Sequence, residues 1–243
     1  MLQVSLICRL ILETIEGLKP HRYLISVDEK TGMQALERFE QPAPVSQGGH
    51  TRREFEYRRH GTSTLMAALN VADGQLLHHY LHPTRKEEDF CLFIQQTAQP
   101  LLSPNAQTTI VFLSDQLNTH LSESLVRWVA QVDAFSGDLG KKGTAGILHS
   151  QTSRRAFLEQ PTHRVSFVFT PTHCSWLNPV ENWFAKLQKH VLHHGNFCSV
   201  DDLNTKVALY IMFYNRCLTK PLKWKFKGFL KAKELANFKL SNN

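Results

Sequence analysis

Three short apolar runs constrain this chain more than any other feature: YLISVDEK at 23–30, TTIVFLSD at 108–115 and RVSFVFTP at 164–171. Each is too brief for a typical helix and rich in β-branched or aromatic residues, so each reads as a buried strand. The first two deliver an aspartate near their ends, Asp28 and Asp115. TLMAALNV (64–71) and QLLHHYLH (75–82) flank the turn ADG, which is a hairpin signature. Helical patterns fall at 4–18, 86–99, 121–131, 179–193 and 200–216, the last with Ser199 as a cap. Strands that alternate with helices pair in parallel, and the hairpin adds antiparallel pairing. The expected fold class is therefore α/β, a mixed β-sheet flanked by helices. Residues 31–62 have no clean period and read as a long connection with short strands of its own. The glycine-rich stretch GDLGKKGTAG, within 136–160, reads as an insertion or surface subdomain.

Composition narrows the class. Hydrophobic residues make up 42% of the 243, enough for a substantial core and too many for a disordered chain. No apolar run approaches the length of a membrane span, so no membrane association is expected. The apolar start carries Arg9, Glu13 and Glu16 and lacks a small-residue cleavage site. It reads as an amphipathic helix with Leu6, Leu10 and Ile11 on its apolar face, not as a secretion signal. Five scattered cysteines without a CxxC point to a reducing, cytoplasmic compartment. The formal charge of +7 is uneven: from Arg216 to Lys239 eight basic residues face one acid, with Trp224, Phe226 and Phe229 interleaved. RREFEYRR (52–59) is a second basic and aromatic cluster. Such clusters fit a polyanion partner, above all nucleic acid, and they also fit a solvated basic tail.

The acids carry the chemistry. If the first two strands are neighbours, Asp28 and Asp115 sit side by side, and two carboxylates there repel unless a cation joins them. Hard oxygen ligands favour Mg²⁺ or Mn²⁺. A third acid, Glu181, stands alone in THCSWLNPVENWF (172–184). Asn178 can cap a helix there, Pro179 suits its first position, and Glu181 falls where a capping box needs it. At about 100° per residue, Trp176, Val180, Trp183, Phe184, Leu187 and Val191 share one face, and Glu181 lies about 110° from its centre. Both tryptophans are expected in the core, with Glu181 leaning over the sheet edge. The set strand-Asp, strand-Asp, helix-Glu fits two-metal phosphoryl transfer.

At these residues the chain resembles a known family. VDEKTGMQALER (27–38), FEYRRHGTSTLMAALNVADG (55–74), FLSDQLNTH (112–120), FTPTHCSWLNPVENWFAKL (169–187) and KPLKWKFKG (220–228) are similar to DDE transposases of the IS630 group, within the Tc1/mariner-like superfamily. The resemblance implies an RNase H-like fold. It implies a catalytic, metal-binding triad of Asp28, Asp115 and Glu181 with two ions, Mg²⁺ or Mn²⁺. It also implies DNA cleavage and strand transfer on transposon ends and target DNA, by a dimer or larger assembly near a prokaryotic nucleoid. It divides the chain into an N-terminal helix (1–20), a catalytic domain (21–216, with the insertion at about 136–160) and a basic C-terminal tail (217–243).

Three departures stand out. Such transposases usually carry helix-turn-helix domains ahead of the catalytic domain, whereas Asp28 lies near the start, so a separate recognition domain or protein is expected. Gln116 follows the second aspartate where the family usually has asparagine. Asp115 and Glu181 are 66 positions apart, wider than the compact family spacing.

Candidate phosphate contacts are Arg52, Arg53, Arg58, Arg59, Lys223, Lys225 and Lys227. His120 and His173 are candidate auxiliaries, each also explicable as a turn histidine. His78, His79 and His82, with His190, His193 and His194, match no metal-site spacing and read as surface residues. The alternatives are a repurposed, non-catalytic DNA-binding or assembly protein, and an RNase H-like nuclease.

Overall fold

The computed structural model describes residues 1–39, 56–84, 86–102 and 107–229. Strands β1 (Arg22–Arg38), β2 (Tyr57–Asn70) and β3 (Leu76–His82) pair antiparallel, and β4 (Thr109–Ser114) and β5 (Val165–Phe169) extend the sheet from β1 in parallel. The order across the sheet is β3-β2-β1-β4-β5. This is the mixed sheet that the strand and hairpin patterns predict.

Alternate strand residues point to opposite faces. Ile25, Val27, Phe112 and Phe167 pack beneath helices α2 (Glu87–Leu102), α3 (Glu123–Val132) and α4 (Gln151–Leu158). Leu24, Leu65, Ala67 and Leu113 pack on the other face, beneath α1 (Leu2–Ile15), α5 (Pro179–Leu187) and α6 (Val200–Phe213). Ser122, Ser150 and Ser199 cap α3, α4 and α6 through their hydroxyls.

Two expectations change. Residues 31–62 hold longer strands than expected: β1 runs through Arg38 and β2 begins at Tyr57, while 40–55 lie outside the described residues. This outer part is a two-stranded ribbon in which Met33 and Ala35 are buried and most other β1 side chains beyond Lys30 are not. It therefore lacks the continuous apolar run that marks a central strand. Residues 136–160 also divide in two. The stretch 136–146 is largely exposed. Leu148, Phe157 and Leu158 belong to the core, and buried Arg154 donates to the carbonyls of Leu121 (2.6 Å) and Leu148 (3.0 Å).

The two tryptophans part company. Trp183 is 1% exposed, whereas Trp176 is 51% exposed. Trp176 lies in a 3₁₀ turn ahead of α5, where the rotation per residue is not that of an α-helix, so the wheel misplaces it. Its ring meets Phe226 edge-on at 5.5 Å. The basic segment from residue 219 to 229 docks on the domain: Leu222 and Trp224 pack against the core beneath α1. Gly228, at φ 86°, lies so close to Ser5 that a Cβ would meet its Cα at 2.7 Å.

Trp183→Ala is expected to destabilise the fold by about 3–5 kcal/mol, the usual cost of emptying a buried aromatic site. Trp176→Ala should stay within about 0.5 kcal/mol of the parent. Urea denaturation of both variants checks the contrast.

Candidate active site

The register of the sheet sets the two aspartates level. Pairing of β1 with β4 ends at Ser26 with Leu113. Two residues further along each strand come Asp28 and Asp115, and a two-residue step returns to the same face of β1. Asp28 is thus not at a strand end. It sits in mid-strand, where β1 continues alongside β2 after β4 has stopped. Asp115 alone occupies the end-of-strand position.

A polar lock joins β1 to α5. The Ser26 hydroxyl, fully buried, donates to Asn178 Oδ1 (2.5 Å) and accepts from the Val180 backbone N–H (2.8 Å). Asn178 Nδ2 donates to the Val27 carbonyl (2.9 Å) and to Asp28 Oδ2 (3.1 Å). Asp28 Oδ1 accepts from the Glu29 N–H (2.8 Å). Asn178 stands at the N-cap and Pro179 at the helix start, as predicted, but the Asn178 side chain makes no capping bond. The capping box with Glu181 does not form, because Asn178 is turned toward β1 and Ser26 supplies the bond to the helix end.

On the other side, His120 holds Asp115. His120 is fully buried in a short turn after β4, with the Phe90 ring stacked on it at 3.9 Å. Its Nδ1 lies 2.7 Å from Asp115 Oδ1 and 2.8 Å from Ser114 Oγ, and its Nε2 lies 3.5 Å from Glu29 Oε1. Asp115 Oδ1 also accepts from the Leu117 N–H (3.1 Å). Burial opposes a charged ring, yet Asp115 and Glu29 outweigh it and raise the His120 pKa to about 9. Gln116 Nε2 donates to the Thr170 carbonyl (2.7 Å), tying the end of β4 to the end of β5. His173, by contrast, is exposed at φ 62° in the turn before the 3₁₀ segment.

The three acids interact. Burial raises the Asp28 pKa to about 7; the Glu29 N–H pulls it back, and the charges of Asp115 and Glu181 push it further up. Burial also raises Glu181, opposed by Lys30 and reinforced by Asp115. Among the described residues no three His, Cys, Asp or Glu side chains converge into a ready cation cage. Carboxylates of like charge stay apart unless something between them balances the charge. The donor set is all oxygen, and its most buried member is strained toward neutrality by its neighbours. That chemistry fits a hard divalent cation.

Ser26, Glu29 and the inward turn of Asn178 are the site features that sequence reasoning missed. A signal existed for Ser26: it is the one polar residue within an apolar strand run, two positions before Asp28 and so on its face. Of the candidate phosphate contacts, Arg58 and Arg59 are exposed on the outer part of β2, with Arg59 stacked on Tyr57 at 5.4 Å. Lys223, Lys225 and Lys227 are exposed on the docked segment. Arg52 and Arg53 lie outside the described residues. His78, half-buried on β3, stacks on Phe93.

Known proteins now give the arrangement a class. The family described as DDE superfamily endonuclease matches residues 23–204, and the chain belongs to it. The fold resembles that of Mos1 mariner transposase. A Mos1 paired end complex with Mn matches at 15% identity and a TM-score of 0.54, covering 88% of this chain and 56% of that one. A Mos1 strand transfer complex matches at 13% and 0.53, covering 89% and 56%. The Mos1 transposase catalytic domain with raltegravir and Mn matches at 12% and 0.50, covering 88% and 84%. At such identities the likeness establishes the fold: an RNase H-like mixed sheet flanked by helices. The chain spans just over half the length of the Mos1 chains in those complexes. No curated protein matches the sequence.

Two outcomes follow from the site's physics. Ser26→Ala strands the Val180 N–H and the Asn178 amide, and is expected to cost about 1–3 kcal/mol in denaturant titrations. Asp28 has its folded pKa raised, so its contribution to stability is complete below about pH 4 and is lost as pH rises through about 7. Asp28→Asn should therefore gain on the parent by roughly 2–4 kcal/mol between pH 4 and pH 8, on top of a pH-independent cost for turning its NH2 toward one of the two donors that Asp28 accepts from, measured with a chelator present. A difference that does not change with pH would refute this.

Proposed function

We propose that this chain is the catalytic domain of a DDE transposase, cutting DNA strands and joining them to new sites at a divalent-metal centre held by Asp28, Asp115 and Glu181. The observation that carries the reading is geometric: the β1–β4 register sets Asp28 level with Asp115, and the Ser26–Asn178 lock ties the start of α5, whose first turn carries Glu181, to β1. Two Mg²⁺ or Mn²⁺ ions bound there would supply Lewis acidity and neutralise the charge that builds on a phosphoryl group in transit. Asp28, coupled to both other acids, would serve both ions.

The chain's own groups do the positioning. The Asn178 amide fixes one oxygen of Asp28, and the Glu29 N–H fixes the other. His120 and the Leu117 N–H orient Asp115, whose side chain is 42% exposed and so open to a substrate phosphate. Glu29 holds His120 from behind, and the His120 charge offsets part of the acid cluster. Lys223, Lys225, Lys227, Arg58 and Arg59, with Arg52 and Arg53, would contact DNA phosphates. The Mos1 complexes contain paired transposon ends, which supports a dimer or larger assembly here, with recognition of the ends supplied by another domain or protein. Among the described residues no helix is long and apolar enough to cross a membrane. A nucleoid-associated, cytoplasmic site of action accords with the cysteine usage.

Labelled duplex DNA with Mg²⁺ or Mn²⁺ tests the reading. Nicking should fall to background in Asp28→Asn, Asp115→Asn and Glu181→Gln while duplex binding persists. Full nicking by Asp28→Asn would overturn the assignment, and cleavage that never leads to joining would favour a nuclease. Replacing Lys223, Lys225 and Lys227 together by Gln should flatten the log-log salt dependence of duplex binding by about 2–3 in slope.

A further inference from the structure

We propose that the groove between the start of α5 and the docked basic segment binds an unpaired nucleotide of the DNA strand, with its base stacked on Trp176. This deepens the transposase reading and rests on it for the identity of the ligand. The groove has a volume of about 570 Å³, within the range of small-ligand sites, and Glu181 is the one carboxylate among the described residues that line it. Three lysines line it as well, Lys186, Lys220 and Lys223, all exposed. Pro179, Leu222 and Trp224 give it an apolar wall. A nucleotide has the matching parts: a flat apolar base and an anionic phosphate.

The wall is anchored to the domain at two points. At one end Gly74, at φ 77°, leaves no room for a Cβ against the Lys220 carbonyl, which would lie at 2.5 Å. At the other, the Phe229 N–H donates to Ser5 Oγ (3.0 Å) beside Gly228. Between these anchors Leu222 and Trp224, both partly buried, pack against the core and line the groove, while Phe226 and Phe229 are 37% and 58% exposed. Phe226 meets Trp176 at 5.5 Å and Phe229 at 5.3 Å, both edge-on, so three exposed rings form a continuous row. Lys225 and Lys227 flank Phe226 in sequence. Exposed aromatic surface held in place and interleaved with cations is the pattern that binds single strands by stacking and charge. In a duplex both faces of each base are covered by its neighbours, so a tryptophan can stack only on a base released from the helix. The Glu181 wall sets that base beside the acid cluster.

The test uses a short single-stranded oligonucleotide carrying 2-aminopurine, a matched fully paired duplex, and the whole chain without divalent metal. Wild type should bind the single strand and quench its fluorescence. Trp176→Ala should weaken that binding by about tenfold, the loss expected for one base–aromatic stack, with little change for the duplex. Trp176→Phe should restore most of the affinity, and the Lys220→Glu, Lys223→Glu double variant should lose it. Equal single-strand affinity in wild type and Trp176→Ala would overturn the proposal, as would equal losses on single strand and duplex. No metal or turnover is involved, so a chain that never cleaves DNA but shows this Trp176 dependence would sink the strand-cutting reading and uphold the groove.

Discussion

The structure hinges on one buried hydroxyl. Ser26 binds the Asn178 side chain and the first free N–H of α5 together, and so fixes the helix that carries Glu181 to the strand that carries Asp28. Neither partner is optional for the other. Without Ser26 the helix start would have an unsatisfied donor in the core, and without Asn178 the Asp28 carboxylate would lose one of the bonds that orient it. Trp183 and Phe184 then clamp α5 from the apolar side, so the acid is aimed by packing on one face and by hydrogen bonding at its end.

The same sheet arms the site from its opposite face. Asp28 shares a face with Ser26, while its neighbour Glu29 reaches His120, which holds Asp115. Two residues of one strand, Ser26 and Glu29, thus support the two aspartates by different routes. The balance is electrostatic. One buried imidazolium does not neutralise three acids, and Asp28 remains pushed up to about 7. A site that costs stability in order to keep like charges together is a usual sign that something other than the fold itself benefits.

Much of this was legible in the sequence because it depends on local pattern. The buried strands, the hairpin, the helices and the two aspartates follow from apolar runs, a turn and period. The full reach of β1 through Arg38 was not legible beyond an expectation of short strands, since a strand half in solvent carries no apolar signature. The helical wheel could not see that the chain ahead of α5 winds as a 3₁₀ turn, and so it buried Trp176. Glycine-rich 136–146 looked like the start of a subdomain because nothing local reveals that Leu148 and Phe157 reach the core.

The sequence by itself determined which segments must be buried and which acids stand at or beside them, because side-chain periodicity and turn chemistry act over a few residues. Only the tertiary structure decided that Asp28 lies in mid-strand, that the cap of α5 comes from Ser26, that His120 is pinned between Glu29 and Asp115, and that the basic segment walls a groove beside Glu181. Each of these joins residues far apart in the chain, and their partners are chosen by strand register and by the need to satisfy every buried polar group. No local pattern records that choice.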